Sequence, residues 1–245
     1  MTTAESSPVT GVVVVVPAHN EQLLIADCLQ SLADAQDMLS QRIPQITCDV
    51  VVVLDDCDDE SDIIACRMNV SAMPVAHHNV GAARRAGVQA ALAHSRSPLR
   101  QIWVANTDAD CRVPRDWLLH FVEAAERGYH MVLGMVCPSS ELSQSQLHAW
   151  HRRHPYVDGH PHVHGANLGI RADVYEAIGG WSPLRTGEDA ELVARAESSG
   201  TVRILRTGQG PVWTSSRLVG RAPAGFADYL STLPGSGDLT EAEGA

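Results

Sequence analysis

The sequence predicts an α/β fold on a mostly parallel sheet. Two uninterrupted β-branched runs, "GVVVVV" (11–16) and "CDVVVVL" (48–54), read as strands buried on both faces. Helical patterns alternate with such strands, the order that a layered parallel sheet requires. Three polar clusters, "PAHNE", "LDDCDDES" and "NTDADCR", each follow a strand directly. In open parallel sheets ligands sit beyond the carboxyl ends of the strands, so the three clusters are expected to share one crevice.

The elements follow in order. Pro17 is expected to end the first strand. Leu24, Ile25, Cys28, Leu29 and Leu32 then form a helical stripe. The second strand ends at the acidic turn "DDCDDES", with a short helix from about Ser61. "GAARRAGVQAALAH" (81–94) is an Ala-rich helix and "QIWVAN" (101–106) a further strand. Pro114 should stand near the first position of the helix "RDWLLHFVEAAERG", which Gly128 stops. "HMVLGMV" (130–136) reads as a strand, about Leu142 to His154 as a helix, and "NLGI" (167–170) as a short strand. A helix follows over about Ala172 to Ile178, with a turn at Gly179-Gly180. "EDAELVARAESSG" (188–200) is helical, and "VRIL" and "VWTSS" read as two strands. The Gly-, Ser- and acid-rich tail 234–245 reads as disordered. No internal repeat is visible, and a change of character near residue 111 divides two halves of one domain.

Composition narrows the function. The chain has 245 residues, a formal net charge of −11 and no lysine among its 18 basic residues. The charge argues against nucleic-acid binding, which depends on basic residues to neutralise phosphate. The missing lysine excludes a P-loop of the G-x-x-x-x-G-K type, a pyridoxal-phosphate Schiff base and protein-kinase chemistry. The six cysteines lie outside any C-x-x-C pair and read as scattered, mostly buried thiols of a reducing compartment. "GVVVVVPA" is too short to span a bilayer. No integral membrane segment is expected, and the expected location is cytoplasmic, with peripheral membrane contact left open.

Asp108 and Asp110, in D-x-D spacing, point to similar sides of an extended chain and suit a hard divalent cation with oxygen ligands. The plainer alternative is a solvated turn with helix-capping acids. Asn20-Glu21 and "TGED" likewise fit helix capping as well as chemistry. Cys57 reads as a neutral spacer, and Asp58 and Asp59 as solvated turn acids.

Taken in order, "VVVVPAHNE", "VVVLDDCDDES", "GAARRAG", "NTDAD", "HGANLGIRADVYEAIGGW" and "GEDAEL" resemble the family 2 glycosyltransferases. The resemblance spans roughly residues 10–230. It implies a GT-A fold, a single Rossmann-like, mostly parallel sheet flanked by helices. Residues 10–111 would form the nucleotide-sugar half and 112–230 the acceptor half. It also implies a nucleoside-diphosphate sugar donor, with UDP weakly favoured, and Mg²⁺ or Mn²⁺. Pro17, Ala18, Asn20 and Glu21 match the motif that touches the nucleoside, and Asp56 the acid that reads the base. Gly81 and Arg84 match the helix bracketing the nucleotide. Asp108 and Asp110 match the metal and diphosphate motif. Asp189 matches the general base of inverting members. On chemistry alone Glu188 would serve equally; the family register selects Asp189 and leaves Glu188 on the acceptor side with His164, Gly165, Ala166, Asn167 and Trp181.

Departures from the family pattern exist. Cys57 stands where a small or glycine residue usually follows the acid pair. No histidine follows His164, so the third metal ligand of some members is water or absent here. Arg217 and Arg221 are candidates for diphosphate contact, with a solvated surface as the alternative. Six of the twelve histidines fall in 148–164. They read as an acceptor-side loop, with a structural metal site disfavoured because no cysteine lies near. Other readings are a retaining transferase of related fold and a nucleotide-sugar-binding module without catalysis. An aspartyl phosphatase would want Thr or Val where Arg112 stands and would need a lysine. A nucleotidyltransferase would need a Gly-rich basic loop that "PAHNE" lacks.

Overall fold

The computed structural model describes residues 8–139, 142–217 and 226–233. The expected tail 234–245 and Arg221 lie outside the described residues. The N-terminal half runs β1 (Gly11–Ala18), α1 (Ile25–Arg42), β2 (Thr47–Asp55), α2 (Ser61–Arg67), β3 (Ser71–Val75), α3 (Val80–His94) and β4 (Ile102–Asn106). It continues with β5 (Cys111–Arg112), α4 (Trp117–Glu126), β6 (Met131–Pro138), α5 (Gln144–Arg153), β7 (Leu168–Arg171), α6 (Ala172–Ala177), α7 (Glu188–Ser198), β8 (Ile204–Thr214) and α8 (Phe226–Ser231).

The strands form one sheet in the order β3-β2-β1-β4-β7-β6-β8-β5. The first four strands are parallel, as is β6 with β8. The pairs β4–β7, β6–β7 and β5–β8 are antiparallel. From β1 the chain moves outward to β2 and β3, then returns to place β4 on the other side of β1. That reversal opens a crevice between the carboxyl ends of β1 and β4, where the chain delivers "AHNE" and "TDAD".

The valine run explains why β1 is central. Val12, Val14 and Val16 pack with Ile25, Leu29 and Leu32 of α1. Val13 and Val15 face the opposite layer, with Ala83 and Val88 of α3 and Leu192 of α7. Alternation along a strand sends neighbours to opposite faces, so a strand covered on both sides must be apolar throughout. Each such valine contributes on the order of 2 kcal/mol relative to exposure.

Several boundaries differ from the sequence reading. β1 does not stop at Pro17 but pairs with β2 through Ala18–Leu54. The Val15 carbonyl accepts from Thr107 on the β4 side. By the two-residue alternation Pro17's missing N–H also faces that side, past the last paired residue, so no ladder bond is lost. α4 begins at Trp117, not at Pro114, whose carbonyl accepts the Trp117 N–H in a preceding turn. Ile204 and Leu205 of "VRIL" and Val212 to Thr214 of "VWTSS" belong to one strand, β8, with a register irregularity opposite Gly134 and Val136. β3, β5 and α8 were not expected. Of the six cysteines only Cys28 and Cys111 are buried, and Cys66 is exposed.

Gly81 fixes how α3 meets the site. A Cβ there would stand 2.1 Å from the Ser182 carbonyl oxygen and 3.0 Å from the Leu184 backbone. Its N–H also donates to the Leu184 carbonyl (3.2 Å). The loop that leads into α7 is therefore pressed directly on the first turn of α3. Gly81→Ala is expected to push the two apart and lower stability by about 1–3 kcal/mol, the usual cost of overpacking, measured by urea denaturation.

Candidate active site

A cleft of about 730 Å³ opens at the carboxyl ends of β1 and β4. From the donor-side expectations it is lined by Pro17, Ala18, Glu21, Arg84, Asp108 and Asp110. From the acceptor side it is lined by His164, Gly165, Ala166, Glu188 and Asp189, with Arg217 at the β8 end. Asn20, Asp56, Gly81, Asn167 and Trp181 are not among the lining residues.

Arg84 is the centre of the site. Its side chain is only 3% exposed, yet it meets two carboxylates from distant elements. One guanidinium nitrogen lies 2.5 Å from Asp108 Oδ1 and the other hydrogen-bonds Glu188 Oε1. The guanidinium stands 5.1 Å from the centre of the Trp181 ring, a cation–π arrangement. Burial opposes the charge on Arg84, but Asp108 and Glu188 outweigh it and raise its pKa. Burial pushes Glu188 up, with Arg84 pulling it back down. Gly165 completes the clamp. A Cβ there would stand 2.7–2.9 Å from the guanidinium, so only glycine lets the 164–167 turn close on Arg84. The Gly165 N–H in turn donates to Asp189 Oδ2 at 2.8 Å. Asp189 Oδ1 accepts from the Ala190 N–H at 2.8 Å in the first turn of α7. Gly187 is the N-cap residue of α7 and brings no side chain to cap it.

A second arginine holds the other acid. β5 pairs with the end of β8, and the Ser215 N–H donates to the Asp110 carbonyl. That pairing brings Arg217 Nη2 to 3.0 Å from Asp110 and Nη1 to 2.9 Å from both Glu21 oxygens. Burial first, and then Asp108, raises the Asp110 pKa to about 6 against the opposing pull of Arg217. Among the described residues, Asp108, Asp110 and Cys111 form the one group of three potential ligands whose donor atoms lie within 4.8 Å of each other. Cys111 is fully buried, which with Asp110 and Asp108 pushes its thiol well up. A protonated thiol is a poor ligand, so the usable donors are two carboxylates, a set that fits a hard ion such as Mg²⁺ or Mn²⁺.

The loops after β1 and β2 are zipped together. Asn20 does not cap a helix: its Oδ1 accepts from Asp58 N–H and its own N–H meets Cys57 Sγ. Asp59 accepts from Gln22 and Ser61, so it is a loop tie and not a solvated acid. The expected Asp56 is half exposed, with φ +55°, and pairs with His78 at 3.2 Å. Its neighbour Asp55 lines the cleft instead, with its carboxylate accepting from the backbone of His77, His78 and Asn79. Asn167 is buried under the site, accepting from Trp117 Nε1 and donating to the Met135 carbonyl. Trp181 is fully buried behind Arg84.

The histidines of the acceptor-loop expectation form a stack. His154 lies on Trp150 with ring centres 3.7 Å apart and 4.4 Å from His162, and His164 follows 6.1 Å further on. No histidine joins a group of three close ligands among the described residues. Burial lowers His154 to about 4 and His164 to about 3. These rings are neutral at pH 7. With Tyr229 and Phe226 they give one side of the cleft an uncharged aromatic wall, which the sequence reading missed. Its sequence signal was the i, i+4 pair Trp150 and His154. His148, His151 and Arg152 are exposed on α5.

The sequence matches the family described as "Glycosyl transferase family 2" over residues 13–179, and the chain belongs to that family. Among solved structures, it resembles the mannosyltransferase PcManGT from Pyrobaculum calidifontis in complex with GDP-Man and Mn²⁺. The TM-score is 0.61 and the identity 20%, over 88% of this chain and 59% of that one. It also resembles S. aureus TarS 1-349 in complex with UDP (TM-score 0.59, 15% identity, 84% and 61% covered). A third is glucosyl-3-phosphoglycerate synthase from Mycobacterium tuberculosis in complex with Mn²⁺, UDP and phosphoglyceric acid (TM-score 0.53, 16% identity, 80% and 68% covered). These likenesses show the GT-A fold. The chain thus spans about 60% of the length of the first two. No curated protein matches the sequence. No helix among the described residues is long and apolar enough to cross a membrane.

Two outcomes are expected. Arg84→Met leaves Asp108 and Glu188 without their buried partner and should cost about 3 kcal/mol or more in urea denaturation. Acidification should also destabilise the fold. His154 and His164 titrate lower in the folded chain than the usual 6.5, so the unfolded chain binds more protons between the two values. The stability they contribute is present above pH 6.5 and is lost as pH falls toward 4. His154→Phe should flatten the decline in Tm between pH 7 and pH 5; an unchanged slope would contradict this.

Proposed function

We propose that residues 10–230 form one glycosyltransferase domain that moves a sugar from a nucleoside-diphosphate donor to an acceptor hydroxyl. The reading includes dependence on Mg²⁺ or Mn²⁺ and inversion at the anomeric carbon. The observation that carries it is the placement of Asp108, Asp110 and Asp189 on one cleft, with Arg84 and Gly165 linking the two ends.

The chemistry divides between the two ends. Asp108 and Asp110 would hold the divalent ion, whose charge stabilises the diphosphate as it leaves. Pro17, Ala18 and the loop carrying Asp55 and Asp56 form the donor wall where a nucleoside would lie. The structures similar in fold carry UDP or GDP-mannose, and UDP remains the favoured donor nucleotide here. At the other end Asp189 is the base. The Gly165 and Ala190 N–H groups fix both of its oxygens, so the carboxylate is already aimed before an acceptor arrives. The acceptor oxygen attacks the anomeric carbon on the face opposite the diphosphate. As the carbon–oxygen bond to phosphate breaks, the hydroxyl proton passes to Asp189. Glu188, bound to Arg84, is spent on structure and is not free for the same role.

Asp110→Ala and Asp189→Asn are each expected to reduce transfer at least about a hundredfold, measured as nucleoside diphosphate release in the presence of acceptor. NMR of the product should show the anomeric configuration opposite to that of the donor. Full activity in both variants would overturn the assignment, and a retained configuration would favour the retaining reading.

A further inference from the structure

Two arginines serve the acids of the cleft, and they are held very differently. Arg84 is 3% exposed, locked between Trp181 and Gly165, and has no room to leave. Arg217 is 31% exposed, whereas its partners Asp110 and Glu21 are 12% and 8% exposed. It therefore covers these carboxylates from the solvent side. It stands in the non-regular segment 215–217 just beyond β8, held by its ion pairs and a backbone bond to Ser215 Oγ. Its Nη2 lies 3.0 Å from Asp110 Oδ2, on the carboxylate that a divalent ion would need.

We infer that Arg217 is an internal counter-cation for the ion site: it neutralises Asp110 and Glu21 until a divalent ion displaces it. The inference rests on the reading of Asp108 and Asp110 as ion ligands. Charge supports the exchange. Asp108 meets Arg84 and Asp110 meets Arg217. A divalent ion brings two positive charges to these carboxylates where a guanidinium brings one. Geometry makes the two cations compete, because both need Asp110. The competition sets the ion affinity of the chain below what two bare carboxylates would give. Displacement also frees a guanidinium at the cleft wall when the anionic diphosphate arrives, so one side chain serves both states.

The test is Mn²⁺ binding to the full chain without nucleotide, read by electron paramagnetic resonance of the free ion. Arg217→Gln should bind Mn²⁺ at least about fivefold more tightly than wild type, since the competing charge is gone. Arg217→Lys keeps a charge but loses the fork that spans Glu21 and Asp110, and its affinity should fall between the two. If Arg217→Gln does not fold, the comparison of wild type with Arg217→Lys decides alone. Equal or weaker binding in the variants, with wild type binding Mn²⁺, overturns the counter-cation. If neither wild type nor any variant binds Mn²⁺, the ion site itself is refuted and the inference falls with it.

Discussion

A buried guanidinium between two carboxylates is the constraint on which the site depends. Arg84 comes from the first turns of α3, Asp108 from the loop after β4 and Glu188 from the start of α7. A charge this deep is tolerable only when paired, so its position fixes theirs. Trp181 behind it and Gly165 beside it leave no alternative placement. Asp189 inherits the constraint twice, through its neighbour Glu188 and through the Gly165 N–H. Asp108 and Asp189 are thus set relative to each other by one side chain.

The sheet makes that convergence possible. The reversal of strand order at β1 and β4 opens the crevice, and β7, β6 and β8 extend the sheet beyond β4. The two-residue strand β5 has a consequence larger than its size. By pairing with the end of β8 it brings residues 215–217 onto Asp110. That end of the cleft therefore joins residues far apart in the chain.

The sequence disclosed what local pattern can encode. β1 and β2 were legible because strands buried on both faces need unbroken runs of valine, and α1 because its stripe repeats at helical spacing. β3 was illegible because it is a mostly exposed edge strand containing Pro74. β5 was illegible because two residues carry no periodicity. Asp108 and Asp110 could be read from their spacing after a strand. The partners that define them could not: Arg84 and Glu188 lie 104 residues apart, and Arg217 and Glu21 lie 196 apart. Family register pointed to Asn20, Gly81, Asn167 and Trp181 as contacts. The fold uses them to tie loops, admit a close backbone approach, or support the residues that do face the cleft. The histidine run looked polar on paper, yet burial lowers the pKa of His154, His162 and His164.

The central claim is that this cleft takes a nucleoside diphosphate together with a divalent ion. The most direct measurement is the thermal stability of the full chain with UDP and GDP, each with and without Mn²⁺. A ligand that binds only the folded chain raises Tm with the logarithm of its excess over Kd. The account predicts a clear rise with one nucleotide plus Mn²⁺ that exceeds the effects of either component alone. No shift with any combination would contradict it.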